Sequence, residues 1–233
     1  MPPSPRSRRT LPLVALLLLT GCHRPANAPG PLLRVTFLDV GQGDSTVIES
    51  PSGRVVVIDG GGIPGTNEAT GHDPGSRAVV PFLRSRGISA IDLLVATHPD
   101  DDHVQGLVSV TERLQVRAAL DNGHVPQPKW AGAYKRLRAA LARHAVPVRT
   151  ARRGQAFDLG GGVFLQVLHP GPFPTGGVHS PENNDSIVLR LVYNRARFVL
   201  TGDAEVEAEQ ATLQSGLALD ADILKAGHHG SRW

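Results

Sequence analysis

An apolar run that ends in histidines and aspartates constrains this chain more than any other feature of its sequence. Residues 91–97 read Ile-Asp-Leu-Leu-Val-Ala-Thr, which is typical of a buried strand. The next six residues read His-Pro-Asp-Asp-Asp-His. Three consecutive aspartates can simply cap a helix, because carboxylates accept hydrogen bonds from free backbone N–H groups. The two histidines favour a different role, so we predict that this strand delivers four metal ligands into one crevice: His98, Asp100, Asp102 and His103.

Two later segments also place polar side chains directly after a strand-like run. Asp203 follows residues 197–201, and the pair His228-His229 follows residues 222–225. Since adjacent side chains diverge, we expect only one histidine of the pair to face a metal ion. Carboxylates and imidazoles at three strand ends are the ligands that a pair of divalent cations needs, so the chain is predicted to be a metal-dependent hydrolase. Three further acidic residues are predicted to lie on the exposed start of a helix, outside the site: Glu205, Glu207 and Glu209.

Six ordered segments carry a family resemblance: residues 37–45, 57–62, 97–103, 183–189, 200–203 and 224–231. The first contains Asp-Val-Gly-Gln-Gly-Asp, and the last contains Lys-Ala-Gly-His-His-Gly-Ser. Together they resemble a metallo-β-lactamase-fold hydrolase, and within that superfamily the hydrolase domain of the ComEC DNA-internalisation family. The resemblance implies an α/β fold, namely an αββα sandwich of two mixed sheets flanked by helices.

The pattern along the chain is consistent with one such domain over residues 32–233, because strand-like runs alternate with helical ones. Strands are predicted at 32–38, 45–49, 54–58, 91–97, 116–120, 163–168, 186–193 and 197–201. Helices are predicted at 76–86, 103–114, 129–144 and 203–214. Members of the family continue past the last motif, so we expect the C-terminal end of the domain to be missing.

The resemblance guides the assignment of metal ligands. We predict that His98, Asp100 and His103 hold one cation, that Asp102 and His228 hold the second, and that Asp203 bridges them. Relatives usually carry a histidine at the position of Asp100. A harder oxygen ligand there makes manganese or magnesium plausible beside zinc.

One expected ligand stays unassigned. The superfamily has a third histidine motif near the segment that reads Glu182-Asn183-Asn184 here. His169 and His179 are the two candidates that lie close to it in the sequence.

The predicted mechanism is attack on phosphorus, in line with the leaving oxygen, by a water that is activated between the two cations, the second of which Asp102 would hold. Lys225 would offset charge on the phosphoryl oxygens, although a strand-end lysine that simply reaches solvent is equally consistent. His229 would protonate the leaving alkoxide. Four residues are predicted to orient ligands and loops from behind the metal ligands: Asp39, Gln42, Asp44 and Asp59.

The N-terminus resembles a bacterial lipoprotein signal. Residues 1–21 combine arginines with a short apolar core, and Leu-Thr-Gly-Cys at 19–22 resembles a lipidation site on Cys22, the only cysteine. Residues 22–31 are predicted to be a flexible tether, so the protein would be exported and lipid-anchored to a bacterial membrane, facing the periplasm or the exterior. The arginines also resemble a twin-arginine export signal. They carry the whole net charge of +3, so the remaining chain gives no general support for nucleic-acid binding.

Local basicity leaves several functions open. The amphipathic stretch 129–144 and the arginines at 149, 152 and 153 are predicted either to hold phosphates or to form a solvated face. The leading hypothesis is phosphodiester hydrolysis, with DNA as the substrate and a separate membrane channel as a partner. The alternatives are hydrolysis of a small ester, amide or lactam, and a non-catalytic DNA-binding scaffold of an uptake system.

Overall fold

Two stacked β-sheets form the centre of the fold in the computed structural model, which describes residues 32–64, 66, 71–126, 131–172, 175 and 180–232. The first sheet has the order β1 (Arg34–Phe37), β2 (Thr46–Glu49), β3 (Val55–Ile58), β5 (Leu93–Ala96), β7 (Ala119–Asp121) and β8 (Val148–Thr150). The second has the order β13 (Ile223–Leu224), β12 (Ala196–Leu200), β11 (Val188–Tyr193), β10 (Val163–His169) and β9 (Ala156–Asp158). A short parallel pair is formed by β4 (Ala90–Ile91) and β6 (Gln115–Val116).

Both sheets are mixed, as the sequence predicted. In the first sheet β3, β5, β7 and β8 run parallel, while β1 and β2 pair antiparallel. In the second sheet only β12 and β13 are parallel. Parallel strands bring their carboxyl ends to one edge, where α/β proteins place their ligands. The loops after β3, β5, β7 and β8 therefore meet at one edge of the first sheet.

Helices cover the outer faces of both sheets. They are α1 (Val80–Ser85), α2 (Asp101–Arg113), α3 (Gly132–Arg143), α4 (Pro181–Asn184) and α5 (Val206–Leu213). A single π-helical turn, Gly75–Val79, leads into α1. None of the described helices has the length and apolar content required to cross a bilayer.

Alternating side chains on the central strands build two layers of core. On β3, Val56 and Ile58 pack between the sheets with Leu165 and Leu189 of the second sheet. The intervening residues of β3 pack against α1, α2 and α3. Each fully buried Val, Leu or Ile contributes about 1.5–3 kcal/mol relative to its exposed state. On the far side, Ala208 of α5 packs on the second sheet. These layers confirm the predicted αββα sandwich.

The differences from the predicted elements have local causes. The run predicted as one strand at 116–120 is split, because β6 ends at Val116 and β7 begins at Ala119. The strands β8 and β9 were not predicted, since each has only three residues. The last helix begins at Val206 rather than at 203, because residues 201–205 turn to aim side chains at the sheet edge. The predicted signal peptide 1–21, the predicted tether 22–31 and residues 129–130 of the predicted basic helix lie outside the described residues.

Glycines let α2 approach the loops that precede it. A Cβ on Gly106 of α2 would lie 2.0 Å from the carbonyl oxygen of Gly60, and one on Gly75 would lie 2.0 Å from the carbonyl oxygen of Gly106. A Cβ on Gly60 would lie 2.6 Å from the backbone nitrogen of Leu107. Three backbones therefore touch where only hydrogen atoms fit. This contact fixes the position of α2, whose first turn carries Asp102 and His103.

Gly106→Ala should lower the free energy of unfolding by at least about 2 kcal/mol, because the added methyl group overlaps the Gly60 carbonyl. Urea denaturation measures this change. The matched control is Gly132→Ala in α3, where a Cβ would meet only the flexible end of Arg136, at 3.5 Å. That control should raise stability by about 0.5–1 kcal/mol. Equal effects of the two substitutions would contradict the close packing of α2.

Candidate metal centre

Four side chains from three distant segments converge at the edge of the first sheet. Asp102 and His103 come from the first turn of α2, Asp203 follows β12, and His229 lies in the 3₁₀ turn Gly227–Gly230. One ligand atom of each lies within 4.8 Å of the others. Sequence positions more than a hundred residues apart therefore meet as predicted for Asp102, His103 and Asp203.

The Oδ2 atom of Asp203 is the shared centre of this group. It lies 3.2 Å from Nε2 of His103 and 3.2 Å from Nε2 of His229. Nε2 of His98 lies 4.0 Å from the same oxygen. It also lies 3.8 Å from Oδ2 of Asp100. Nε2 of His229 also lies 3.6 Å from Oδ2 of Asp102. Distances of this size leave space for a cation between the donor atoms.

A buried carboxylate behind the group sets the orientation of two histidines. Nδ1 of His103 lies 2.8 Å from Oδ2 of Asp59, which also accepts a hydrogen bond of 2.7 Å from the Thr97 hydroxyl. Because that hydroxyl donates its one hydrogen to Asp59, it accepts from Nδ1 of His98, 3.0 Å away. Both imidazoles therefore direct Nε2 toward Asp203. Second contacts of this kind fix the tautomer of metal-binding histidines.

Three buried polar atoms at the centre have no hydrogen-bond partner among the described residues: Nε2 of His98, Nε2 of His103 and Oδ1 of Asp203. A buried polar atom without a partner costs about 1–3 kcal/mol. Two imidazole nitrogens and a carboxylate oxygen that all face one space match the first shell of a divalent cation. The residues present therefore fit a metal ion.

Burial and neighbouring charged groups shift the pKa values of His98 and Asp100. Burial, together with the neighbouring His103, lowers the pKa of His98 to about 3, so its imidazole is neutral near pH 7 and offers a lone pair. Burial and the adjacent Asp102 carboxylate raise the pKa of Asp100 to about 6. Like charges crowded in this way indicate a site that attracts cations.

The inner groups show strong electrostatic coupling. Burial acts against their charged forms, yet the hydrogen bond from His229 lowers the pKa of Asp102 to about 2. Contacts with His103 and His229 likewise lower the pKa of Asp203 well below its usual range. In turn, hydrogen bonds to three carboxylates raise the pKa of His229 to about 12. The carboxylates therefore remain ionised and create a strongly negative environment.

The two adjacent histidines have exchanged the roles that the sequence suggested. His229 enters the cluster, whereas Nδ1 of His228 lies 3.2 Å from Oε1 of Glu205. Both histidines have positive φ angles, 42° and 53°, in a left-handed turn that brings the second one back over the site. Their sequence could establish only that the side chains diverge. Assigning a metal ligand to His228 is not supported by this geometry.

His103 lies close to both parts of the predicted ligand set. It clusters with Asp102, Asp203 and His229, and its ring centroid lies 4.1 Å from that of His98. The helix α2, which begins at Asp101, carries both Asp102 and His103 in its first turn. Asp203 approaches both His98 and His103, as expected for a bridging residue.

Lys225 is held inside the protein structure. Its Nζ lies 2.5 Å from Oδ2 of Asp44 and donates to the carbonyl oxygens of Gly202 at 3.0 Å and Ala226 at 2.9 Å. These contacts use the three hydrogens of the ammonium group. These contacts fit neither of the two predicted roles of Lys225, contact with a phosphoryl oxygen or exposure to solvent. Lys225 instead neutralises Asp44, whose Oδ1 lies 3.5 Å from Nδ1 of His229.

The remaining predicted supporting residues divide into two sets. Nε2 of Gln42 donates to Oδ2 of Asp102 at 3.4 Å, and Asp59 and Asp44 contact the histidines described above. Asp39 accepts from the backbone of Gly41 at 3.1 Å and so shapes only the loop. Gly41 and its neighbour Gly43 have φ angles of 82° and 80°, which glycine adopts without strain.

A glutamate that lies between β12 and α5 contacts the segment where the third histidine motif was expected. Glu205 is buried, contrary to its predicted exposure, and accepts a hydrogen bond of 3.0 Å from Nδ2 of Asn183. His169 is buried elsewhere, with Nε2 2.9 Å from the carbonyl oxygen of Asn184. His179 lies outside the described residues. Sequence reasoning missed Glu205 because acidic residues before a helix usually face water, and missed Thr97 because its role depends on Asp59.

The comparisons with known proteins agree with this fold. The family described as the metallo-beta-lactamase superfamily matches residues 38–233. A HARLDQ-motif mutant of the metallo-β-lactamase from Cronobacter sakazakii is 16% identical, with a TM-score of 0.49 over 82% of this chain and 75% of that one. A diphosphatase of the PhnP family is 18% identical, with a TM-score of 0.41 over 78% of this chain and 59% of that one.

Sequence relatives include much longer proteins. ComE operon protein 3 of Bacillus subtilis is 30% identical over 206 residues, which are 85% of this chain and 25% of that protein. Competence protein ComA of Neisseria gonorrhoeae is 30% identical over 222 residues, which are 93% of this chain and 27% of that protein. This chain thus spans about a quarter of their length. From its fold, its clustered ligand atoms and the family match, the chain belongs to the metallo-β-lactamase superfamily.

Proposed function

We propose that this protein is a phosphodiesterase that binds two divalent cations and hydrolyses DNA. The observation that carries the proposal is the convergence of four ligand side chains, Asp203 among them, with three buried atoms left to bind a cation. The first cation would contact His98, Asp100 and Asp203. The second would contact residues of the cluster: Asp102, His103, Asp203 and His229.

The donor set favours oxygen-preferring ions. Three of the six proposed ligands are aspartates, and Asp100 stands where a histidine is usual in the superfamily. Manganese and magnesium prefer carboxylate oxygens more strongly than zinc does. Bound divalent cations supply the chemistry, because they lower the pKa of water and stabilise charge on phosphoryl oxygens.

The protein's own residues prepare the site for this chemistry. Asp59 and Thr97 hold His103 and His98 with their Nε2 atoms directed inward, and Asp44 supports His229. Such preorganisation avoids the cost of reorientation during the reaction. His228, the histidine of the pair that lies outside the cluster, takes over the proposed proton transfer to the leaving alkoxide. Its Nδ1 atom lies 3.2 Å from Oε1 of Glu205, a contact that fixes the orientation of the imidazole ring.

DNA is proposed as the substrate from the family resemblance and the relatives. Two relatives carry the words competence protein or ComE operon protein in their names. This chain matches only about a quarter of each relative. A role in DNA uptake, with a separate membrane channel as partner, is therefore part of the proposal. A small ester or lactam is the rival substrate class, since one fold supports many substrates.

Asp59→Asn should weaken the binding of manganese by about 10–100-fold, because an amide cannot accept the hydrogen bonds of both Thr97 and His103 in the same way. Isothermal titration calorimetry measures the affinity. Asp73→Asn is the matched control, because Asp73 is equally buried but pairs with the Ser109 hydroxyl away from the cluster. Equal metal affinity in the Asp59 variant and the wild type would contradict the orienting role of Asp59.

Asp203→Asn should reduce the rate of DNA cleavage by at least about 1,000-fold, because it removes the carboxylate shared by both proposed cation sites. Cleavage of a fluorescent oligonucleotide with added manganese measures the rate. Binding of that oligonucleotide should persist in the variant. Equal binding without cleavage by the wild type and the variant would support a scaffold, and lactam turnover without DNA cleavage would support the rival enzyme.

We also propose that the protein is exported and anchored through a lipid on Cys22. The support is the arginine-containing leader and the Leu-Thr-Gly-Cys sequence at 19–22. Cys22→Ser should move the full-length protein expressed in a bacterium from the membrane fraction to the soluble fraction of the envelope or retain its leader uncleaved. Immunoblots of the fractions measure this. A wild-type protein found only in the cytoplasm would overturn the proposal.

A further inference from the structure

A second polar pocket lies beside the metal centre on the same edge of the first sheet. Its volume is about 220 Å³, and it opens between the loops that follow β7 and β8. The residues that matter here are Asn122, His124, Arg152, Pro170 and Asp185. None of these residues belongs to the proposed metal ligands.

The strand register places this pocket next to the centre. Ala96 of β5 pairs with Asp121 of β7, which pairs with Thr150 of β8. His98, His124 and Arg152 follow these paired positions by two or three residues, so all three leave the sheet at one edge. Neighbouring strands lie about 4.8 Å apart, so each residue is one strand farther from Asp59 along a single row.

His124 is held toward the pocket by an acidic residue whose oxygens are already engaged. Nδ1 of His124 lies 3.0 Å from Oδ2 of Asp185, and Oδ1 of Asp185 accepts from the backbone of Thr175 at 2.9 Å. The hydrogen bond to Asp185, opposed by partial burial, raises the pKa of His124. Oε1 of Glu182 lies 3.8 Å from Nε2 of His124. Both ring nitrogens of His124 therefore lie near carboxylate oxygens.

Arg152 carries a guanidinium group that is not neutralised by a carboxylate in the described part of the chain. Its Nη1 donates to the carbonyl oxygens of Ala151 at 2.6 Å and Asn122 at 3.3 Å. These contacts fix the group while its other N–H donors remain available. Of the two neighbouring arginines, Arg138 pairs with the Asp121 carboxylate, and Arg153 donates to the carbonyl oxygens of Leu168 and Ala211. Only Arg152 among these arginines lines the pocket.

We infer that this pocket binds a phosphate of the substrate next to the one that is cleaved, through Arg152 and His124. The inference rests on the proposed phosphodiesterase function. It also assigns the path of the bound DNA strand, which would run from Asp203 past His98 toward the loop after β8. A guanidinium group and an imidazole N–H donor that flank one space suit a phosphate oxygen pair. A substrate with a single phosphate would leave the pocket empty.

The experiment measures binding of a short single-stranded DNA to the full chain loaded with manganese. The DNA has phosphorothioate linkages, which resist hydrolysis, and in each copy a different linkage is replaced by an uncharged methylphosphonate. Fluorescence anisotropy gives the affinity. For the wild type, replacement of one particular linkage should weaken binding about tenfold, the loss expected for one charge-assisted hydrogen-bonded contact. Arg152→Gln should bind the substituted and unsubstituted strands equally.

Two variants make this result specific. Arg149→Gln removes an exposed arginine of β8, which lines a different pocket together with Arg54 and Asp92. This variant should keep the wild-type sensitivity to the methylphosphonate replacement. Arg152→Lys keeps the charge and should restore part of the sensitivity. Thermal denaturation of each variant checks the fold. Sensitivity that persists in Arg152→Gln, or that disappears equally in Arg149→Gln, would overturn the inference.

A separate measurement distinguishes failure of the proposed function. Hydrolysis of bis(4-nitrophenyl) phosphate by the wild type tests the metal centre alone, because this compound has no neighbouring phosphate. Absence of hydrolysis together with Arg152-dependent binding would overturn the phosphodiesterase function and leave the phosphate pocket supported. Hydrolysis without any position-dependent effect of methylphosphonate would overturn the pocket and leave the phosphodiesterase function supported.

Discussion

The hydrogen bonds of one buried carboxylate connect three segments of the chain at the proposed metal site. Asp59 ends β3, accepts from the backbone and hydroxyl of Thr97 at the end of β5, and holds His103 at the start of α2. Through Thr97 it also orients His98. Its positive φ of 58° is a conformation that Asp tolerates better than most residues. The orientation of the His98 and His103 imidazoles therefore depends on Asp59, a residue that need not bind a metal ion itself.

The concentration of negative charge couples this site to stability. Asp44, Asp102 and Asp203 are ionised within a largely buried region, where charge without compensation is costly. Lys225 and the imidazoles offset part of this cost from within the chain. A bound cation would offset more, and a ligand at about 100 times its dissociation constant adds about 2.7 kcal/mol to the stability of the folded state. The buried carboxylates are thus expected to be more stable with a cation bound than without one.

The sequence predicted those features that depend on local pattern. Apolar runs identified the central strands, and polar residues immediately after them identified His98, Asp102, His103 and Asp203. It predicted His228 as the histidine that enters the cluster, whereas the structure places His229 there, because the choice depends on a left-handed turn. The engagement of Lys225 by Asp44 also escaped prediction, since these residues lie at opposite ends of the domain sequence. Long-range pairing and the burial of Glu205 arise only when the two sheets have stacked.

Anomalous X-ray scattering from crystals grown with manganese tests the central claim most directly. The account predicts two peaks about 3.5–4 Å apart on either side of Asp203, with Nε2 of His103 and Nε2 of His229 both within about 2.3 Å of the same peak. His228 should lie outside bonding distance of either peak. Manganese-containing crystals with no peak beside Asp203, or with peaks only at other residues, would contradict the proposed metal centre.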